Sequence, residues 1–205
     1  MYYSKGLLIV ISGPSGVGKG TVCRELVKQN TTDIEISVSA TTRKPRDGEI
    51  QGVSYHFKSK NEFEDMIKLE QFLEYAKVYD NYYGTPKAYV MDRLKKGNDI
   101  VLEIDTQGAM QVKRNFPEGI FIFIMPPSFE ELKRRIIDRG TETKEDIKKR
   151  LRSTYEEVKL ARNYDYVVFN DEVSSAVEKI YSIISAEKCR VNRYSFDFIG
   201  FKEEL

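Results

Sequence analysis

The run LLIVISGPSGVGKGT, residues 7–21, constrains the chain more than any other stretch. It opens with five apolar residues without alternation, as in a strand buried on both faces of a parallel sheet, and passes straight into a glycine-rich turn carrying one lysine. Glycines at 13, 16, 18 and 20 allow successive backbone N–H groups to point into one concavity at the start of a helix, where phosphate oxygens bind. Gly13, Gly18 and Lys19 keep the register GxxxxGK[ST], so Gly13, Pro14, Ser15, Gly16, Val17, Gly18, Lys19, Gly20 and Thr21 form the candidate donor-phosphate site. An ordinary glycine turn with a surface lysine is the alternative reading.

Gly20 stands where a Ser or Thr normally ligates magnesium. A switch-type GTPase needs that hydroxyl, and the guanine-reading N/TKxD pattern of such proteins is missing as well. An enzyme that binds two nucleotides can complete a metal's oxygen shell from their phosphates and from water. Thr21 still offers its hydroxyl to an inner phosphate. The GKG loop therefore favours nucleoside monophosphate kinases over GTPases.

The texture of the first strand returns in DIVLEID (99–105), GIFIFIM (119–125) and DYVVFND (165–171), with charged, helix-periodic segments between. This alternation predicts an α/β fold, a parallel sheet flanked by helices in one domain of 205 residues. Two regions interrupt it. Residues 37–86, rich in Gly, Tyr, Thr and charge, are expected to form a small antiparallel or mixed lobe around one helix at 61–70. Residues 133–153, highly charged and broken by Gly140, predict helix, mobile turn and helix. The core is then 1–36, 87–132 and 154–188. The tail 189–205, with its aromatic alternation, is expected to pack back on the domain, an oligomer contact being the alternative.

With 33 basic against 32 acidic residues, the chain has no overall attraction to nucleic acid or an anionic membrane. Cys23 and Cys189 lack metal-ligand spacing and suit a reducing compartment. The first apolar run is too short for a membrane span or a signal segment. A soluble, cytoplasmic protein is expected.

An acceptor site is legible in the inserted lobe. SVSATTRKPRDGEIQGVSY sets Arg43 and Arg46 three apart with Tyr55 beyond a glycine turn, and two guanidiniums with a phenol form a plausible clamp for a phosphate dianion. An arginine pair is also a common solvated surface feature. FLEYAKVYDNYYGTP adds Glu74, Tyr83 and Thr85, whereas Tyr79 and Tyr82 read as packing. The strand IVLEID carries Glu103 and Asp105 on one face at its C-terminal end, where such sheets bind ligands; the alternative for Asp105 is a helix N-cap.

The ordered set GPSGVGKGT, SVSATTRKPRDGE, NYYGTP, LEIDTQG and RGTE resembles the guanylate kinase family over about residues 5–185. The resemblance implies ATP-dependent phosphorylation of GMP to GDP with Mg²⁺, the metal held mainly by phosphates and water, in purine nucleotide metabolism and GMP recycling. It implies that Ser39, Arg43, Arg46, Tyr55 and Tyr83 bind the GMP phosphate. Glu74, Thr85 and Asp105 then read the nucleoside, with Glu103 as second choice beside Asp105, and Asn170 contacts the adenine of ATP. Lys19, Arg43, Arg135, Arg139 and Arg150 surround the transferring phosphoryl group; Arg134 and Arg152 read as solvated. ATP and GMP are the expected partners, without nucleic acid or membrane, in a monomer or small homo-oligomer.

Physical chemistry supports Glu74. Guanine's Watson–Crick edge presents two adjacent N–H donors that one carboxylate accepts together, whereas adenine presents an acceptor there, so discrimination on the order of 10⁴ is reasonable. The acceptor is already an ionised phosphate, so no general base is required. His56, the chain's one histidine, reads as structural. Two other readings stand beside this one: a nonenzymatic, peptide-binding domain, and a kinase for another monophosphate.

Overall fold

In the computed structural model, which describes residues 5–28, 34–78, 80–137 and 144–193, β1 (Leu8–Ser12) lies at the middle of an all-parallel sheet. Its companions are β2 (Ile34–Ile36), β7 (Asp99–Glu103), β8 (Ile120–Met125) and β9 (Tyr166–Phe169), in the order β2-β7-β1-β8-β9. Side chains of β1 alternate between two cores, as a period of two requires. Ile9 and Ile11 pack with Val22 and Leu26 of α1 (Lys19–Lys28) and with Val177 and Ile180 of α7 (Val173–Lys188). Leu8 and Val10 pack on the other face with Val90 and Leu94 of α3 (Lys87–Lys95) and Val112 of α4 (Thr106–Asn115). Burial on both faces explains why these strands read as unbroken apolar runs, and the α/β expectation holds.

Three details differ from the sequence reading. The sheet has a fifth strand, β2, whose three residues IEI at an edge are too few to show a period. The second run ends at Glu103 rather than continuing to Asp105, because Asp105 is the N-cap of α4: its carboxylate accepts from the Gly108 N–H at 2.7 Å. The fourth run is strand only over Tyr166–Phe169, after a short 3₁₀ turn at Leu160–Asn163.

Asp99 opens β7 buried. One carboxylate oxygen accepts from the Leu7 N–H at 2.9 Å, and the other meets Lys188 Nζ at 2.7 Å, tying the last helix to the start of the sheet. Asp99→Ala removes the acceptor of the Leu7 N–H and the ion pair with Lys188, and is expected to cost about 2–3 kcal/mol, the exposure of Lys188 moderating the loss; urea unfolding measures it.

Residues 40–86 build a second, four-stranded mixed sheet in the order β4-β3-β6-β5: β3 (Ala40–Thr41), β4 (His56–Phe57), β5 (Phe72–Val78) and β6 (Asn81–Pro86). Its helix α2 (Lys60–Lys68) starts at a Ser59–Glu62 capping box, and Phe63 stacks on Phe72 and Tyr82 at 4.4 and 5.3 Å. Gln111 of α4 exchanges two hydrogen bonds with the Tyr75 backbone. The second sheet is thereby fastened to the core beside the C-terminal ends of the parallel strands. The 133–153 segment begins inside α5 (Phe129–Ile137) and ends inside α6 (Lys144–Lys159). The tail beyond Arg193 lies outside the described residues.

Candidate active site

The glycine loop joins β1 to α1, so Lys19 is the first residue of the helix and the loop's N–H groups gather at its positive end. Gly13, Gly16 and Gly18 hold positive φ. At Gly18 the demand is steric too, since a Cβ there would sit 2.7 Å from the Asn170 amide nitrogen. Buried Asn170 braces the loop: Nδ2 donates to the Val17 carbonyl at 2.8 Å, and its own N–H donates to Met125 O at 2.8 Å. Arg135 Nη1 approaches the same carbonyl at 3.3 Å while Nε donates to Glu131 Oε1 at 2.7 Å.

Lys19 Nζ folds back onto the loop, donating to Gly13 O at 2.7 Å and Pro14 O at 3.2 Å. Burial lowers its pKa, and Glu103, Glu157 and Asp105 pull it back up. Glu103 opens onto the cleft, but enough protein surrounds its carboxyl to raise its pKa as well, with Lys19 and Arg24 opposing. A Cβ on Gly20 would lie 3.0 Å from Glu103 Oε1. Where a hydroxyl commonly stands after the loop lysine, this chain places a carboxylate from the neighbouring strand.

Between the two sheets lies a cavity of about 300 Å³ that brings together Lys19, Ser39, Tyr55, Glu74, Tyr83, Glu103 and Asp105. Glu74 is its buried end. It faces Thr85 in the β5/β6 register, and the Thr85 hydroxyl donates to Glu74 Oε1 at 2.7 Å. Burial pushes the Glu74 carboxyl up to about 7, Thr85 working against the rise and Asp105 adding to it. Gly108 of α4 allows the close approach, because a Cβ there would meet Glu74 Oε2 at 2.7 Å. Tyr55 and Tyr83, which also line the cavity, pack edge to face with ring centroids 6.1 Å apart.

Arg43 adjoins Tyr55 without lining the cavity. Its guanidinium grips Glu49 through two bonds of 2.8 and 3.0 Å and lies 5.5 Å from the centre of the Tyr55 ring. Arg46 donates its backbone N–H to the same carboxylate at 2.7 Å, and its side chain is exposed. Arg135 stands on the loop's far side, against Val17 and Asn170. Arg139 and the side chain of Arg150 lie outside the described residues.

The profile described as guanylate kinase matches residues 5–187. The chain belongs to the guanylate kinase family. It is 64% identical to the guanylate kinase of Clostridium tetani over 201 residues, covering 98% of this chain and 96% of that one. It is 58% identical to the guanylate kinase of Clostridioides difficile over the whole of both chains. The crystal structure of guanylate kinase from Anaplasma phagocytophilum superposes with a TM-score of 0.77 at 34% identity, over 94% of this chain and 92% of that one.

Two carboxylates of this guanylate kinase site escaped the sequence reading. Glu49 is the ion-pair partner of Arg43, and the signal available was an acid beyond the Gly48 turn, where φ is +81°. Glu157 of α6 accepts from the Ser15 N–H of the loop at 3.1 Å. It is 142 residues distant and sits in a helix so charged that no pattern singles it out.

Proposed function

We propose that this protein transfers the γ-phosphoryl group of ATP to GMP, giving ADP and GDP, and the observation that carries the reading is the single cavity joining the phosphate loop's Lys19 to the buried Glu74–Thr85 pair. Residues 13–21 bind the donor's phosphates through backbone N–H groups, with Asn170 bracing the loop and meeting the adenine side. Glu74 accepts the two N–H donors of guanine's edge, and Thr85 holds that carboxylate in place. Ser39, Arg43, Arg46, Tyr55 and Tyr83 take the acceptor phosphate, for which Arg43 exchanges Glu49. Asp105 and Glu103 line the space between.

Both reactants are anions, so the reaction needs cationic charge and alignment more than proton transfer. Lys19 supplies fixed charge at the donor phosphates, and Arg43 supplies it at the acceptor. Arg135, Arg139 and Arg150 add charge from the segment 133–153, which acts as a lid over the core, while residues 37–86 form the acceptor lobe. A divalent metal, Mg²⁺ in this reading, would be held mainly by the phosphates and water and would neutralise phosphate charge. Among the described residues no cluster of three or more His, Cys, Asp or Glu could hold a metal. Glu103 and Asp105 provide hard oxygens suited to its water shell. No described helix is long and apolar enough to cross a membrane.

A coupled ADP-release assay with ATP, Mg²⁺ and each of GMP, AMP, CMP and UMP tests the proposal. Turnover with GMP, abolished by EDTA, is expected. Folded protein inactive with every acceptor would return the chain to the peptide-binding reading.

A further inference from the structure

The loop reads as a donor site in need of anions, yet it is already in contact with one. The Glu157 Oε2 atom sits 3.1 Å from the Ser15 N–H. Its other oxygen accepts from the Ser153 hydroxyl at 3.3 Å, one turn earlier on α6, which fixes the rotamer that reaches the loop. Glu157 is also among the charges that raise the proton affinity of Lys19. Lys19 meanwhile spends its donors on the carbonyls of Gly13 and Pro14. A carboxylate oxygen accepting from a phosphate-loop N–H, near the loop lysine, offers the same hydrogen-bonding chemistry as a phosphate oxygen.

We propose that Glu157 is a positioning residue of the donor site: its carboxylate, borne by α6, holds the Ser15 N–H in competition with the donor's phosphates and withdraws when they bind, coupling donor binding to the position of α6. The inference rests on the donor-loop reading above. Phosphate and carboxylate cannot share the loop without like-charge repulsion in a partly desolvated site, so ATP must displace Glu157 before it binds fully. The displaced helix is the one that begins at Lys144, just after the proposed lid turn. The contact therefore tethers α6 to the loop, and the donor's phosphates release it.

Glu157→Gln keeps the shape and one acceptor oxygen while removing the charge. Calorimetric titration of the variant with ATP and Mg²⁺ is expected to show a dissociation constant about three- to tenfold below wild type at low salt. The gain is expected to shrink toward nothing at about 0.5 M salt, and GMP affinity to stay as in wild type. Glu157→Ala is expected to shift ATP affinity in the same direction. A residue that merely shaped the loop would, when removed, weaken ATP binding, lower the melting temperature and show no salt dependence. ATP affinity unchanged or weakened in both variants, with wild type binding ATP normally, overturns the inference alone. Wild-type protein that binds GMP but not ATP overturns the donor-loop reading and the inference with it.

Discussion

Lys19→Ala is expected to lower kcat by a factor on the order of 10³ or more while leaving GMP affinity within about twofold of wild type. The size follows from the surroundings. Lys19 is the cation at the mouth of a loop otherwise made of backbone, and it faces three carboxylates, Glu103, Glu157 and Asp105. Its removal leaves Glu103 and Asp105 beside the position of the donor phosphates, so charge developing in the transition state meets repulsion in place of attraction. Lys19→Arg is expected to rescue little, because the compact ammonium donates to two loop carbonyls at 2.7 and 3.2 Å, a pattern that a planar guanidinium on a longer stem does not reproduce. Steady-state kinetics with both substrates varied, beside a melting curve, separates this outcome from misfolding. A variant with kcat near wild type would remove Lys19 from the chemistry.

Glu74→Gln carries the second large effect, visible in selectivity, pH dependence and stability together. A glutamine presents one acceptor and one donor, matching adenine's edge as well as guanine's, so the ratio of kcat/KM for GMP over AMP is expected to fall by roughly 10²–10³. The wild-type carboxyl, held near 7 by burial, must be ionised to accept both guanine N–H groups. GMP affinity is accordingly expected to rise with pH up to about 7 and level off above it. The GMP phosphate titrates in the same range, so the informative quantity is the difference from Glu74→Gln, which loses the carboxyl's share of the slope.

The stability effect has a definite sign. The folded pKa lies above the ordinary value of 4.5, so the native state keeps a proton that the unfolded chain releases, and stability falls as pH rises from about 4.5 to 7. Glu74→Gln keeps an acceptor for the Thr85 hydroxyl without the buried charge. It is expected to be more stable than wild type by on the order of 2–3 kcal/mol at pH 8, with the gain vanishing near pH 4. Equal unfolding free energies at pH 8 would show that Glu74 carries no burial cost, and an unchanged GMP preference would remove it from base reading.

Such a carboxylate was legible in the sequence only through its neighbours. Glu74 alone resembles any helix-end or strand acid; NYYGTP eleven residues on supplies Thr85, and the hairpin register turns that separation into a contact. The first strand and its loop were legible for a local reason, since an apolar run meeting spaced glycines and a lysine fixes strand, turn and helix start within a few residues. Asp105 shows where local reading falls short. Apolar texture continues through Ile104, so the strand reads two residues too long, and the N-cap hydrogen bond to Gly108 that ends it has no hydrophobic signature. Glu49 and Glu157 were illegible for a different reason. Each acts through a partner chosen by tertiary packing, the Arg43 fork in one case and a loop N–H in the other, and charged residues in charged segments have no periodicity to betray them.

Direct transfer between two nucleotides held in one cleft is tested most directly by following ATP labelled in its γ-phosphoryl group as the enzyme consumes it with GMP and Mg²⁺. The label is expected in the β-position of GDP in step with ADP formation, with negligible free phosphate. Label released as inorganic phosphate, or ATP left intact beside GMP, would contradict it.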